Sequence, residues 1–265
     1  MKQIAKEIRK LTIECIASIG QGHIGGSFSI VDLLTVLYYK QMNIDPKNPK
    51  KEARDRLVVS KGHSGPAVYA TLAHKGYIEK EELKTLNKFG TNLPSHCDMN
   101  KTPGVDMTTG SLGQGISCAV GMAIASRLSK DNATIYCIIG DGESQEGQVW
   151  EALMYASQQK LENLIIFLDN NGMQIDDYVK NLNNLDNIEA RYESFGFHVQ
   201  SIDGHDLDAI DNAINIAKAI NEKTKAIIIN SPNNPSGVVL SEETISKLAE
   251  VLRKKSKEFG TDIFI

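Results

Sequence analysis

Residues 133–142 read Ala133-Thr-Ile-Tyr-Cys-Ile-Ile-Gly140-Asp141-Gly142, and residues 163–172 read Asn163-Leu-Ile-Ile-Phe-Leu-Asp-Asn170-Asn171-Gly172. Each is a near-continuous apolar run closed by a polar, glycine-containing turn. Short apolar runs without alternation mark strands buried on both faces. The pattern then repeats. Strands are expected at 133–139, 163–168, 197–202 and 225–229, with helices at about 147–160, 185–195 and 206–221. Strands alternating with helices predict an α/β domain with a parallel sheet covered by helices on both faces. Such sheets bind ligands beyond the carboxyl ends of their strands, where both quoted turns fall.

The preceding part of the chain is less regular. Ile4, Ile8, Leu11, Cys15 and Ile19 recur at helical spacing and predict a helix over 2–19. The glycine-rich break Gly20-Gln-Gly-His-Ile-Gly-Gly follows, then a helix near 29–41. Residues 56–60 read as a short buried strand, leading into Ser60-Lys-Gly-His-Ser-Gly-Pro and helices at about 66–75 and 79–88. A long loop at 90–112 precedes a helix rich in small residues at about 113–129.

Composition bounds the function. The chain has 265 residues, 41% hydrophobic and 23% charged, as expected of a globular protein. Its net charge of −4 argues against a phosphate-backbone binder, so nucleic acid is not an expected partner. The apolar runs are far shorter than the ~20 residues of a membrane helix. The first residues, Met1-Lys-Gln-Ile-Ala-Lys-Glu, do not have the form of a signal peptide. Cys15, Cys97, Cys118 and Cys137 form no CxxC pair and read as free thiols of a reducing compartment, with a cytoplasmic location expected. Cys97 is expected in a polar loop.

The turns carry the chemistry. Asp141 and Asn171 lie 30 positions apart, one strand–helix–strand unit, so both fall at one sheet edge. A carboxylate and an amide oxygen are hard donors suited to Mg²⁺ or Ca²⁺. The neighbouring glycines let backbone N–H groups approach a phosphate. Three histidines, His23, His63 and His96, sit in Gly- or Pro-flanked loops, where binding and catalytic groups concentrate. Imidazole moves protons at neutral pH and can donate to phosphate. His74, His198 and His205 lack that setting.

Gly140-Asp-Gly, 27 intervening residues and then Asn170-Asn171 resemble the thiamine diphosphate motif. The resemblance implies that Asp141, Asn171 and the Met173 carbonyl hold the metal and that Ile175 packs near the thiazolium. Gly22-His23, Ser60-Lys-Gly-His63, and Pro94-Ser-His96 with Thr108-Thr-Gly-Ser-Leu-Gly-Gln-Gly115 are similar to the active-site segments of transketolases. By that likeness His23, His63 and His96 face the cofactor or a sugar phosphate. Gly110, Leu112, Gly142 and His63 contact the cofactor. Glu146 and Glu151 match acidic positions at the subunit contact, Glu146 among the catalytic group. The resemblance spans about residues 1–229.

A complete transketolase has a further domain that binds the aminopyrimidine, and this sequence has no room for it. The chain therefore resembles the N-terminal half of a two-chain enzyme, expected to form a hetero-oligomer with a pyrimidine-domain subunit and to act on sugar phosphates. Two other readings are a related two-chain ketol transferase for a sulfonated or branched sugar, and a non-catalytic chimeric subunit. The chimeric reading comes from residues 230–265. There Asn230-Ser-Pro-Asn-Asn234-Pro-Ser-Gly replaces the basic, His-containing loop that transketolases carry, and it resembles a fold-type I aminotransferase segment. A helix at about 241–259 and a strand at 262–265 continue that likeness. Pyridoxal phosphate chemistry is not expected, since the Schiff-base lysine would lie further downstream. The substitution is expected to weaken diphosphate binding.

Overall fold

The computed structural model describes residues 1–175 and 177–219 and the backbone of 225–230. The expected helix at 241–259, the strand at 262–265 and the rest of the 231–265 segment lie outside the described residues. The sheet strands are β1 (Arg56–Val59), β2 (Ile135–Gly140), β3 (Leu164–Asp169), β6 (Phe197–Ile202) and β7 (Lys225–Asn230), with a short hairpin of β4 (Met173–Gln174) and β5 (Asp177–Tyr178) after β3. The sheet order is β1-β2-β3-β7-β6, and every neighbouring pair is parallel. This is the doubly covered parallel sheet that the apolar runs predict.

The pleat explains why those runs do not alternate. Ile135, Cys137 and Ile139 of β2 pack into one apolar cluster, whereas Tyr136 and Ile138 pack into another on the opposite face. Helices α1 (Lys2–Ala17), α3 (Val31–Val36), α4 (Gly65–Lys75) and α9 (Leu207–Ala219) cover the second face. Helices α5 (Gln114–Ser129) and α6 (Gly147–Gln158) cover the first, with α8 (Ile188–Ser194) supplying Tyr192 and Ile188. Both faces of β2 and β3 are thereby dry, so each position in those strands is apolar until the turn.

Three local expectations are refined. The helix expected near 29–41 forms as α3, which runs on into a π-turn at Leu37–Gln41 closed by Met42 N–H donating to Leu37 O at 2.8 Å, and a further short helix, α2 (Ile24–Phe28), begins within the expected glycine-rich break. The wider turn buries Tyr38 in the core while Lys40 and Gln41 reach Asp211 on α9 at 2.7 and 2.6 Å. The segment at 79–88 forms only a 3-10 turn, Lys80–Thr85, capped by Glu79 and Glu82, because the chain turns extended at Leu86. Cys97 lies in a polar loop as expected but is itself buried, and its neighbourhood is pinned by Tyr69 donating to Pro94 O at 2.7 Å. A last short helix, α7 (Val179–Leu182), follows the hairpin.

Candidate functional site

Strands β2 and β3 are in register, with Gly140 opposite Asp169, so their two turns stand side by side. Asp141 joins them. Its Oδ1 accepts the N–H of Gly142 at 2.8 Å, and its Oδ2 accepts the N–H of Gly172 across the gap at 2.7 Å. Burial, followed by the neighbouring Asp169 carboxylate, pushes the Asp141 carboxyl up to about 6 against those two hydrogen bonds. A cation beside Asp141 relieves both penalties. Asn171 is held at both ends. Its Nδ2 donates to Asp169 Oδ2 at 3.1 Å, and its Oδ1 accepts the Met173 N–H at 2.9 Å.

Met173 and Ile175 stand at the rim. Ile175 is 91% exposed with φ of 55°. A β-branched residue in the left-handed region is strained, and such strain concentrates at ligand sites.

The three loop histidines converge. The rings of His23 and His63 have centroids 5.2 Å apart, and those of His23 and His96 are 6.4 Å apart. His63 lies inward of the other two. Burial first, then the Lys61 charge and the neighbouring imidazoles, lowers it to about 4. Burial also lowers His96. By contrast His74 is tied to Tyr39 and Glu7, and His205 to Asp32, away from this cluster.

Gly62 and Gly110 bring the backbones together. A Cβ on Gly62 would lie 2.7 Å from the Gly110 nitrogen and 2.8 Å from Thr109. Gly110 has φ of 145°, and a Cβ there would press on His96 at 3.1 Å. Leu112 is half-buried in the same loop, and Gly113 lies against Glu146, which is exposed at the start of α6. Thr109 Oγ1 is a buried hydroxyl with no hydrogen-bond partner among the described residues. Gly-lined backbone close to an unpartnered hydroxyl suits a phosphate-bearing ligand.

Three residues central to this arrangement escaped the sequence reading: Lys61, Asp169 and Glu143. Lys61 is 1% exposed and pairs with Asp169, which is 2% exposed. Glu143 is buried and accepts hydrogen bonds from Ser60 Oγ, Gly113 N–H and Gly140 N–H. The signal was available for Asp169, a charge that closes an otherwise apolar strand.

A cavity of ≈ 780 Å³ opens beside the paired turns, lined by Asp141, Asn171, Gly172 and residues of the 178–189 segment. No cluster of three His, Cys, Asp or Glu side chains occurs among the described residues. Asp141 and Asn171 bring a carboxylate and an amide oxygen to one edge. Oxygen donors of that kind suit a hard cation.

Comparison with known proteins gives a consistent answer. Residues 1–233 match the family described as the thiamine diphosphate binding domain of transketolase. The chain is similar to the 6-deoxy-6-sulfo-D-fructose transketolase subunit SqwG of Clostridium sp. (strain MSTE9), with 56% identity over 86% of this chain and 82% of that protein. It is also similar to an apulose-4-phosphate transketolase subunit of Phocaeicola vulgatus, with 37% identity over 83% of this chain and 78% of that one. Among solved structures, transketolase from Leishmania mexicana superposes with a TM-score of 0.81 and 33% identity, covering 86% of this chain and 36% of that chain. This protein belongs to the transketolase family, and residues 1–233 carry that family's thiamine diphosphate binding domain.

Proposed function

We propose that this subunit binds the diphosphate end of thiamine diphosphate with Mg²⁺ (or Ca²⁺) and joins a pyrimidine-domain subunit to move a two-carbon ketol unit from a ketose phosphate to an aldose phosphate. The observation that carries this reading is the bridge from Asp141 to Gly172, which sets two hard-donor turns at one sheet edge. Asp141, Asn171 and the Met173 carbonyl are the metal donors. His63, Gly110, Leu112, Gly142 and Ile175 are the cofactor-facing groups. The bound cofactor supplies the thiazolium chemistry that breaks and makes the carbon–carbon bond.

The chain's own task is orientation and proton movement. His63 is neutral at physiological pH, so one ring nitrogen donates and the other accepts. His23 and His96 lie nearer the solvent side, where a sugar hydroxyl can reach them. Glu146 is the residue assigned to the contact with the partner subunit, a role that its exposure at the start of α6 supports. The boundary near residue 230 is read from the residues alone, and the 230–265 segment has no role in this scheme. Cytoplasmic pentose phosphate metabolism is the setting the reading favours.

The test is a coupled assay with a pyrimidine-domain transketolase subunit, thiamine diphosphate, Mg²⁺, xylulose 5-phosphate and ribose 5-phosphate. Turnover that requires both chains is the expected result. Absence of cofactor binding overturns the reading in favour of a non-catalytic chimera. The 56% identity to a 6-deoxy-6-sulfo-D-fructose transketolase subunit favours a second reading, in which the donor ketose carries a sulfonate. Bound cofactor, with turnover only on 6-deoxy-6-sulfo-D-fructose, selects it.

A further inference from the structure

Beneath the paired turns lies a buried ion pair that neither the motif nor the family description assigns a task. The Lys61 ammonium and the Asp169 carboxylate are both almost wholly inaccessible to solvent. Lys61 Nζ also donates to Gly26 O at 2.8 Å. Asp169 Oδ2 accepts from Ser29 Oγ at 2.5 Å and from Asn171 Nδ2 at 3.1 Å. Lys61 thus reaches across from the end of β1 to the end of β3, and Asn171 rests on the far side of the same carboxylate oxygen.

This geometry decides which way the Asn171 amide points. A carboxylate paired with an ammonium only accepts hydrogen bonds. It therefore takes the NH₂ end of Asn171 and turns the oxygen end outward. At that end Oδ1 accepts the Met173 N–H at 2.9 Å and keeps its second lone pair. Were the amide reversed, its NH₂ group would face both the Met173 N–H and any cation in the site. A reversed amide cannot ligate a metal.

We propose that Lys61 and Asp169 are positioning residues that hold the Asn171 amide oxygen toward the bound cation, so that metal affinity depends on a salt bridge that never touches the metal. The proposal rests on the metal assignment made above for Asn171. It goes beyond that assignment by placing the determinant of ligand orientation in a second pair of residues. Folding stability is not its rationale, since a buried ion pair is weak evidence for stability.

The test uses the full chain with its pyrimidine-domain partner and reads the thiamine diphosphate-dependent affinity for Mn²⁺ by electron paramagnetic resonance. Lys61, Ser29 and Asn171 all donate to the one oxygen Oδ2, so Lys61→Met together with Asp169→Leu replaces the ion pair by apolar side chains of similar size and leaves Asn171 Nδ2 without its acceptor, which lets that amide reverse. The expected result is a tenfold or greater loss of Mn²⁺ affinity, with KM for the sugar unchanged at saturating metal. Adding Asn171→Asp to that double variant supplies a residue whose two oxygens are equivalent, so orientation no longer matters. Recovery of Mn²⁺ affinity in the triple variant is expected for an orienting role and is not expected if the pair serves packing alone. Affinity within twofold of the parent in the double variant, or no recovery in the triple variant, overturns the proposal. Asn171→Ala separates the two layers. If it leaves Mn²⁺ affinity intact, the metal assignment itself fails and the positioning role falls with it; if it weakens Mn²⁺ while the Lys61→Met, Asp169→Leu variant does not, only the positioning role is lost.

Discussion

Glu143 accepts the backbone N–H of Gly113, 30 residues earlier in the chain, at 2.9 Å through Oε1. Its Oε2 accepts the N–H of Gly140 at 3.1 Å, and Oε1 also takes the Ser60 hydroxyl. One buried carboxylate therefore ties the end of β1, the end of β2 and the start of α5 into a single unit beneath the candidate site. Burial raises its carboxyl above the ordinary range, partly offset by these donors.

Glu143→Ala strands three buried donors at once. Each unsatisfied buried donor costs about 1–3 kcal/mol, so the chain is expected to lose about 3 kcal/mol or more. Glu143→Gln keeps one accepting oxygen but turns an NH₂ group toward a backbone donor, and it should fall between Ala and the parent. Urea denaturation of the three proteins checks the order. A midpoint for Glu143→Ala equal to that of the parent would show that the three loops do not depend on the clamp.

His63 gives the stability a pH dependence. Its folded value is about 4 against 6.5 for the unfolded chain. The contribution is therefore fully present above pH 6.5. It is lost as pH falls through the window from 6.5 to about 4, where the unfolded imidazole binds a proton that the folded one refuses. Between pH 7.5 and 5 the parent should lose about 1–2 kcal/mol more than His63→Gln. Parallel denaturation curves at the two pH values test this; equal losses in both proteins would show that His63 is solvated as a proton acceptor in the folded state.

Asp141→Ala removes the bridge between the turns and the charged donor of the proposed metal set. Metal-dependent thiamine diphosphate binding, followed by isothermal titration with the partner subunit present, should vanish in this variant. Chelating the divalent ion from the parent should produce the same loss, and restoring Mg²⁺ should rescue the parent but not the variant. Cofactor affinity that survives both treatments would remove Asp141 from the metal site.

The α/β order was readable because β2 and β3 are dry on both faces, so burial writes itself as unbroken apolar runs. The pairing of Asp141 with Asn171 was readable from the same source, since one strand–helix–strand unit returns the chain to the same edge. The π-turn at Leu37–Gln41 was not, because it answers to Asp211 on α9, some 170 residues away. Lys61 and Glu143 were hidden for the same reason. A lysine or glutamate in a polar loop reads as a solvated side chain, and only the folded sheet shows each of them buried against a partner more than 80 residues distant.

Helix α5 offers the sharpest contrast between two glycines of one element. At Gly115 a Cβ would lie 2.5 Å from Ser60 Oγ and 2.7 Å from Ser60 Cα, so the start of the helix seats directly on the end of β1. At Gly121 a Cβ meets nothing within 4 Å. Gly115→Ala must push α5 off the strand and disturb the Ser60–Glu143 contact below it, and the expected cost is about 2 kcal/mol or more. Gly121→Ala gains helix propensity without a clash and should stabilise the isolated chain by about 0.5–1 kcal/mol. Denaturant midpoints moving in opposite directions are the expected outcome. A neutral Gly115→Ala would mean that α5 slides freely over β1, and the Gly113 loop could not then be held in place by its seating.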